Sequence, residues 1–215
     1  MGGVNEWEGV NYLTGRGHAI NFPRHCSRCW ILLGFRRMET TNALLLRKTK
    51  LTDSSLIVTW FSAEHGLIKT VAKGARRPKS RFAGVLDLFF DCEIQIARSR
   101  RSELHTLREV VLKNPHEGLR TDYGRVAVAS YFVELIELVT EPDHPVPELY
   151  DLLQRAFGYL NSRPATRRPL LHFESELARL LGIQHAELAA NVAIGRVYHR
   201  LPAARSDLFK KLPER

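Results

Sequence analysis

Cysteine is scarce in this chain, and its placement says more than its number. Cys26 and Cys29 fall in the first 37 residues, and only Cys92 follows. Three thiols cannot all pair with one another, so the even disulfide framework of a small secreted domain is excluded. Long apolar runs are missing as well. None approaches the ~18–20 residues that span a bilayer. The patch WILLGF at residues 30–35 is too short for a signal-peptide core, and no small-residue cleavage site follows it. Lysine is absent before Lys48, and acidic residues are absent from Gly66 to Arg81. There is no Walker-type phosphate loop, no HExxH and no nucleophile elbow. Membrane and secreted classes therefore fall away, as do the enzyme classes that carry those motifs. A cytoplasmic protein without membrane contact is expected.

What the chain does have is positive charge, placed unevenly. Its 215 residues carry a formal net charge of +9. Residues 1–37 hold 5 basic against 2 acidic side chains, residues 38–110 hold 13 against 8, and residues 111–215 hold 14 against 13. The surplus sits in the first half, which suggests two parts with different electrostatic roles. Its densest stretch is GLIKTVAKGARRPKSR, Gly66 to Arg81, with Lys69, Lys73, Arg76, Arg77, Lys79 and Arg81. Apolar Leu67, Ile68 and Val71 read as a strand ending at Gly74, and a cationic loop stiffened by Pro78 follows. Such a loop at the mouth of a sheet suits a polyanion such as a nucleic-acid backbone.

The first 37 residues show neither a two-residue nor a 3.6-residue apolar period. They read as a disordered extension or as sequence upstream of a later start. His25, Cys26 and Cys29 carry half of a zinc spacing, with His18 as a weak further ligand. A structural zinc needs four ligands and no second pair exists, so no metal site is expected.

Patterning becomes regular after Met38. Residues 41–48, 56–63, 67–73 and 104–112 read as strands. The longest alternation places Leu86, Leu88, Phe90, Cys92, Ile94 and Ile96 on one face, with Asp87, Phe89, Asp91, Glu93 and Gln95 on the other. Five short strands in about 70 residues fit a small barrel of the OB type. The period then changes. Thr121 or Asp122 caps a helix with an apolar stripe from Val126 to Val139. Stripes from Leu149 to Leu160 and from Leu170 to Leu181 follow, the latter stopped by Gly182. Further helices are expected from His185 to His199 and from Ala203 to Leu212. The fold class is thus α+β: an extension at 1–37, a five-stranded OB-type barrel at 38–112 and an all-helical domain at 113–215.

OB barrels bind single strands through a cationic groove and aromatic platforms. The first-rank cations are the six between Lys69 and Arg81, with Lys69 and Lys73 on one strand face. Arg47 and Lys48 at the end of the first strand, and Arg98, Arg100 and Arg101 in the last turn, form a second rank. Trp60, Phe61, Phe82, Phe89 and Phe90 are the available rings. Phe90 reads as core, and Phe82 and Phe89 are the better stacking candidates, although core packing is the simpler expectation for both. Asp87, Asp91 and Glu93 share a face and could suggest a two-metal nuclease. Their alternation with Leu88, Cys92 and Ile94 explains them as the solvent side of a strand.

From Met38 onward the sequence resembles the RecO family of bacterial recombination mediators. The resemblance rests on TDSSLIVTWFSAEHGLIKTVAKGARRPKSRFAG (Thr52 to Gly84), ELHTLREVVL (Glu103 to Leu112) and LLHFESELARLLG (Leu170 to Gly182). It implies a barrel that binds single- and double-stranded DNA, no catalytic centre and no cofactor, and action on the nucleoid. It also implies strand annealing and, with RecR, loading of RecA onto DNA coated by single-strand-binding protein, whose C-terminal tail docks on the mediator. Many members carry a four-cysteine zinc module in the helical domain; here no cysteine follows Cys92. That tail is acidic with an apolar end, so its pocket should pair an apolar hole with a cation. Arg120, Arg125, Arg155, Arg167, Arg168 and Arg179 are all available, and sequence does not choose among them. The competing reading is a protein-contact adaptor whose basic loop faces an acidic partner.

Overall fold

The computed structural model describes residues 10–13, 19–22 and 38–214. The chain divides into two compact units at Arg37 and Met38. In the first, β1 (Val10–Leu13) pairs antiparallel with β2 (Ala19–Phe22), a strand pair that the patternless sequence did not announce. His18, His25, Cys26 and Cys29 lie outside the described residues.

The second unit opens with a closed barrel of β3 (Met38–Lys50), β4 (Leu56–Ser62), β5 (Gly66–Ala72), β6 (Asp91–Ala97) and β7 (Leu104–Asn114), in the spatial order β3-β4-β5-β7-β6. All pairs are antiparallel except β5 with β7, where Lys69 lies opposite Leu104 and Val71 opposite Thr106. This is the five-stranded Greek-key closure of the OB fold. The interior is filled by Ala43, Leu45, Val58, Trp60, Ile68, Cys92, Ile94, Ile96 and Leu107, with Phe82 closing in from the long β5–β6 connection. Inside it, the Trp60 indole Nε1–H donates to Thr70 Oγ1 at 2.9 Å. Burial of this kind pushes the Cys92 thiol up to about 12, so it packs as a small apolar group.

Four consecutive buried residues, Ala43 to Leu46, make β3 apolar on both faces. Ala43 and Leu45 point into the barrel. Leu44 and Leu46 point outward, join Phe61 and Leu67, and share a second core with the helices. Those helices are α1 (Tyr123–Val139), α2 (Pro147–Ser162), α3 (Arg167–Leu180), α4 (Ala190–Tyr198) and α5 (Ala204–Lys211), with a 3-10 turn at Glu117–Thr121 leading in. Of the two cap candidates it is Asp122 that starts α1, accepting from the Gly124 amide at 3.2 Å. Pro147 opens α2, where its missing N–H costs nothing. Gly182, at φ +67°, ends α3. At the junction of barrel and helices, Gly66 (φ +63°) turns β4 into β5. A Cβ there would lie 2.0 Å from the His144 carbonyl oxygen, so only glycine lets the α1–α2 connection approach.

The helical half has its own buried polar centre. Glu174, 1% exposed, accepts from the Tyr131 hydroxyl at 2.5 Å and from Arg205 at 2.6 and 2.9 Å. Both carboxylate oxygens thereby find donors, and α5 is fixed to α1 and α3.

Three expectations are corrected. The alternation over residues 86–96 is strand only from Asp91, because Phe89 sits at φ +67° and breaks the extended path. Asp87 therefore shares no strand face with Asp91 and Glu93, which removes the geometry of the nuclease reading. β5 ends at Ala72, so Lys73 lies in the loop rather than on a face shared with Lys69. The fourth helix begins at Ala190 rather than His185, His185 to Ala189 having turn structure instead.

Candidate nucleic-acid interface

The β5–β6 connection begins as a chain of tight turns. Amide-to-carbonyl bonds run from Ala75 to Ala72, Arg77 to Gly74, Ser80 to Arg77 and Ala83 to Ser80, each 3.0–3.4 Å. Gly74 (φ +71°) takes the third position of the first of these turns, a conformation that favours glycine. The loop is anchored inward by Phe82, which is 3% exposed and lies in the barrel core. It is anchored sideways to the β3–β4 turn, where the Arg76 amide donates to Ser54 O at 3.1 Å and its guanidinium to Asp53 O at 3.3 Å. A fixed scaffold thus presents Lys73, Arg76, Arg77, Lys79 and Arg81, all exposed. Lys69, also exposed, projects from β5 beside the start of β7. The structure therefore gathers the first-rank cations on the β5 side of the barrel, next to the β3–β4 turn. Among the described residues, no carboxylate pairs with Lys69, Lys73, Arg77 or Lys79. Arg81 lies over the Phe82 ring, 4.8 Å from its centroid.

The second-rank cations are placed otherwise. Arg47 forks onto Glu137 of α1 at 3.2 and 2.5 Å. Lys48 donates to Leu86 O at 3.1 Å and pairs with Asp87 at 2.6 Å. Burial alone would raise the Asp87 carboxyl, but the Lys48 hydrogen bond and charge hold it below the usual carboxylate range. Arg98 binds Glu39 at 2.7 Å and Asp143 of the α1–α2 connection. It also lies 2.9 Å from Nε2 of the buried His105, whose ring is kept below the ordinary imidazole value by burial and then by that guanidinium. These three residues tie the barrel to the loop and to the helices.

Both stacking candidates are interior. Phe89 is 3% exposed, edge-on to Phe157 at 5.3 Å, and its carbonyl accepts from His116 Nδ1 at 2.8 Å. Phe82 closes the barrel as described, and Phe90 is buried under Arg120, whose guanidinium lies 4.6 Å from the ring centroid.

A second feature lies in the helical half, where sequence gave no choice among cations. A cavity of about 620 Å³ opens between α1, α2 and α3, with Phe132 and Phe173 stacked at 4.0 Å in its floor and Arg155, Arg163, Arg168 and His172 at its edge. Arg163 caps the end of α2 and Arg168 lies in the first turn of α3, so both sides of the short connection contribute a cation to the lining of the cavity. Arg120, Arg125 and Arg167 are instead bound to backbone carbonyls: Leu88, Gly118 and Phe209 respectively. The overlooked signal was the RPATRR segment (Arg163 to Arg168), a cationic turn between two apolar stripes.

An OB-type barrel with a projecting cationic loop, followed by a helical bundle, defines the class as that of OB-fold proteins with an appended helical domain. The comparisons with known proteins narrow it. Residues 37–116 match the family described as Recombination protein O N terminal, and residues 120–187 match Recombination protein O C terminal. Proteins named DNA repair protein RecO are similar. The one from Pelobacter propionicus is 34% identical over 144 residues, 67% of this chain and 58% of the relative. Those from Rhodopirellula baltica and Synechococcus elongatus are 34% and 37% identical, over 65% and 59% of this chain and 52% and 47% of the relatives. The chain spans about half the length of these relatives. It belongs to the RecO family of DNA repair proteins.

Proposed function

We propose that this chain binds single- and double-stranded DNA on the β5 edge of its barrel and anneals complementary strands. With RecR, it helps RecA onto DNA coated by single-strand-binding protein. The observation that carries the DNA-binding step is the fixed loop of cations from Lys73 to Arg81, joined by Lys69, with none of the six matched by a described carboxylate. Nothing in that role calls for a catalytic group. The second-rank cations Arg47, Lys48 and Arg98 serve as struts in this reading.

The test is single-stranded DNA binding by the full chain, titrated across salt. For single strands log K falls with log salt at about −0.7 per phosphate neutralised, so four to six contacts give a slope of roughly −3 to −4. A flat, weak response overturns the reading. In that case the adaptor reading takes precedence, supported by the cavity in the helical half. Its apolar floor and arginine edge suit the acidic, apolar-ended tail of single-strand-binding protein. Binding of a tail peptide, lost in Arg163→Glu with Arg168→Glu, tests that part separately.

A further inference from the structure

We infer that the barrel holds nucleic acid by its sugar–phosphate chain alone and leaves the bases facing outward, free to pair. This rests on the DNA-binding reading above and specifies how that binding is made.

The inference comes from where the rings of the barrel are. OB folds that hold single strands stack bases on aromatic side chains of the outer face formed by the second and third strands, here β4 and β5. That face is divided in this molecule. At one end Phe61 and Leu67 are covered by the helices, the Phe61 ring lying 6.0 Å from that of Tyr150. At the other end the outward positions are Ile57, Thr59, Lys69 and Val71, none of them a ring. Trp60 is fully buried with its N–H bonded to Thr70. Phe82 lies in the barrel interior directly beneath the cationic loop, where Arg81 covers its face. Among the described residues, Trp60, Phe61, Phe82, Phe89 and Phe90 of the barrel are thus held in a core or under the protein's own cation, and the exposed rings of Tyr123 and Tyr159 stand on helices α1 and α2. What reaches solvent on this side is guanidinium and ammonium, the donors that meet phosphate oxygens.

A strand held this way keeps its Watson–Crick edges exposed while bound. A complement can pair with it without first pulling bases off the protein, and the duplex formed remains within reach of the same cations. Single strand and duplex then compete for one site, and base identity does not enter.

The experiment compares the full chain's affinity for a normal single strand with that for an abasic strand of equal length, in which every nucleotide lacks its base. One stacked base contributes about fivefold to 150-fold in affinity. The expected result is an abasic affinity within about fivefold of the normal strand, with the same salt slope. An abasic strand that binds more weakly than that, while the normal strand binds well, overturns the inference and leaves the DNA-binding reading standing. Failure of both strands to bind overturns the reading itself. A Phe82→Leu variant, which keeps the barrel closed by an apolar side chain, provides a second check. Its affinity for the normal strand should be unchanged, and a loss of about fivefold or more in a folded variant identifies Phe82 as a stacking ring and overturns the inference.

Discussion

The barrel carries two sets of cations that look alike in sequence and differ in what surrounds them. Lys69, Lys73, Arg77 and Lys79 face solvent with no described carboxylate against them. Arg47, Lys48 and Arg98 each meet an acidic side chain, and two of the three reach across to the helical half. The first set is a concentration of unneutralised charge, which attracts a polyanion and contributes little to the fold. The second is neutralised within the chain, contributes to the fold and has little field left for a ligand. Affinity and stability should therefore respond to different substitutions.

The largest expected effect is on affinity. Reversing Arg76, Arg77 and Lys79 together to glutamate should weaken single-stranded DNA binding roughly a thousandfold at about 0.1 M salt. Each lost phosphate contact gives up about fivefold through counterion release, and the new charges add repulsion. The salt slope should flatten by about 2, while the thermal midpoint stays close to that of the unaltered chain. A thermal midpoint that falls sharply would erase the distinction between the two sets. Next comes stability. Arg98→Ala removes the guanidinium bound by Glu39, whose side chain is only 15% exposed, and by Asp143 at the barrel–helix junction. The expected loss is about 2–4 kcal/mol in urea unfolding, with DNA affinity of the folded protein within about twofold of the starting value. A large loss of affinity with stability intact would move Arg98 into the first set.

This distinction is the part of the site that the sequence could not show. Strand and helix periods are local, so the five strands, the order of barrel then bundle, and helices α1 to α3 were legible from alternation and apolar stripes. The cationic loop was legible for the same reason, since Gly74 ends the strand pattern and Pro78 stiffens a run without acids. Ion-pair partners are not local. Glu137 lies 90 residues from Arg47, and Asp143 lies 45 from Arg98, so charge counted along the chain could not tell a strut from a contact. Phe89 misled for a different reason. Its place in a clean alternation put it on the polar face, but a left-handed backbone conformation turned the ring under Phe157. The barrel's second core, shared with the helices, likewise appears in sequence only as strands that are apolar on both faces.

A smaller effect probes the neutralised set through pH. His105 and His116 are both held below the ordinary imidazole value, chiefly by burial, with Arg98 adding to this at His105 and Arg120 at His116. Facing His105 are Arg98, Asp143 and Glu39; the carboxylates oppose the shift without reversing it. In the unfolded chain each ring takes a proton as pH falls through about 6.5, whereas the folded rings remain neutral to lower pH. The unfolded state then binds more protons, so stability should decline from pH 7.5 towards 5.5. Urea midpoints across that range should show the decline, and His105→Gln should reduce its slope. A midpoint that rises on acidification would mean that Asp143 and Glu39 dominate the site.

The smallest expected effect is at Arg47, and it sharpens the comparison most closely. Arg47 forks onto Glu137 with good geometry, yet its side chain is 52% exposed. Water screens the pair, and ordering two long side chains costs entropy that offsets much of the attraction, so Arg47→Ala should lose no more than about 1 kcal/mol. The contrast with Arg98 bears on burial, because both residues join the barrel to a helical-half carboxylate while their side chains are 52% and 19% exposed. A double-mutant cycle over Arg47 and Glu137 reads the pair free of other losses. A coupling as large as that of Arg98 with Asp143 would show that attachment to the helices, rather than burial, sets the worth of these struts. DNA affinity supplies the other arm. If Arg47 is a strut its removal leaves the salt slope where it was, whereas a slope flattened by about 0.7 would count one phosphate contact at the far end of β3.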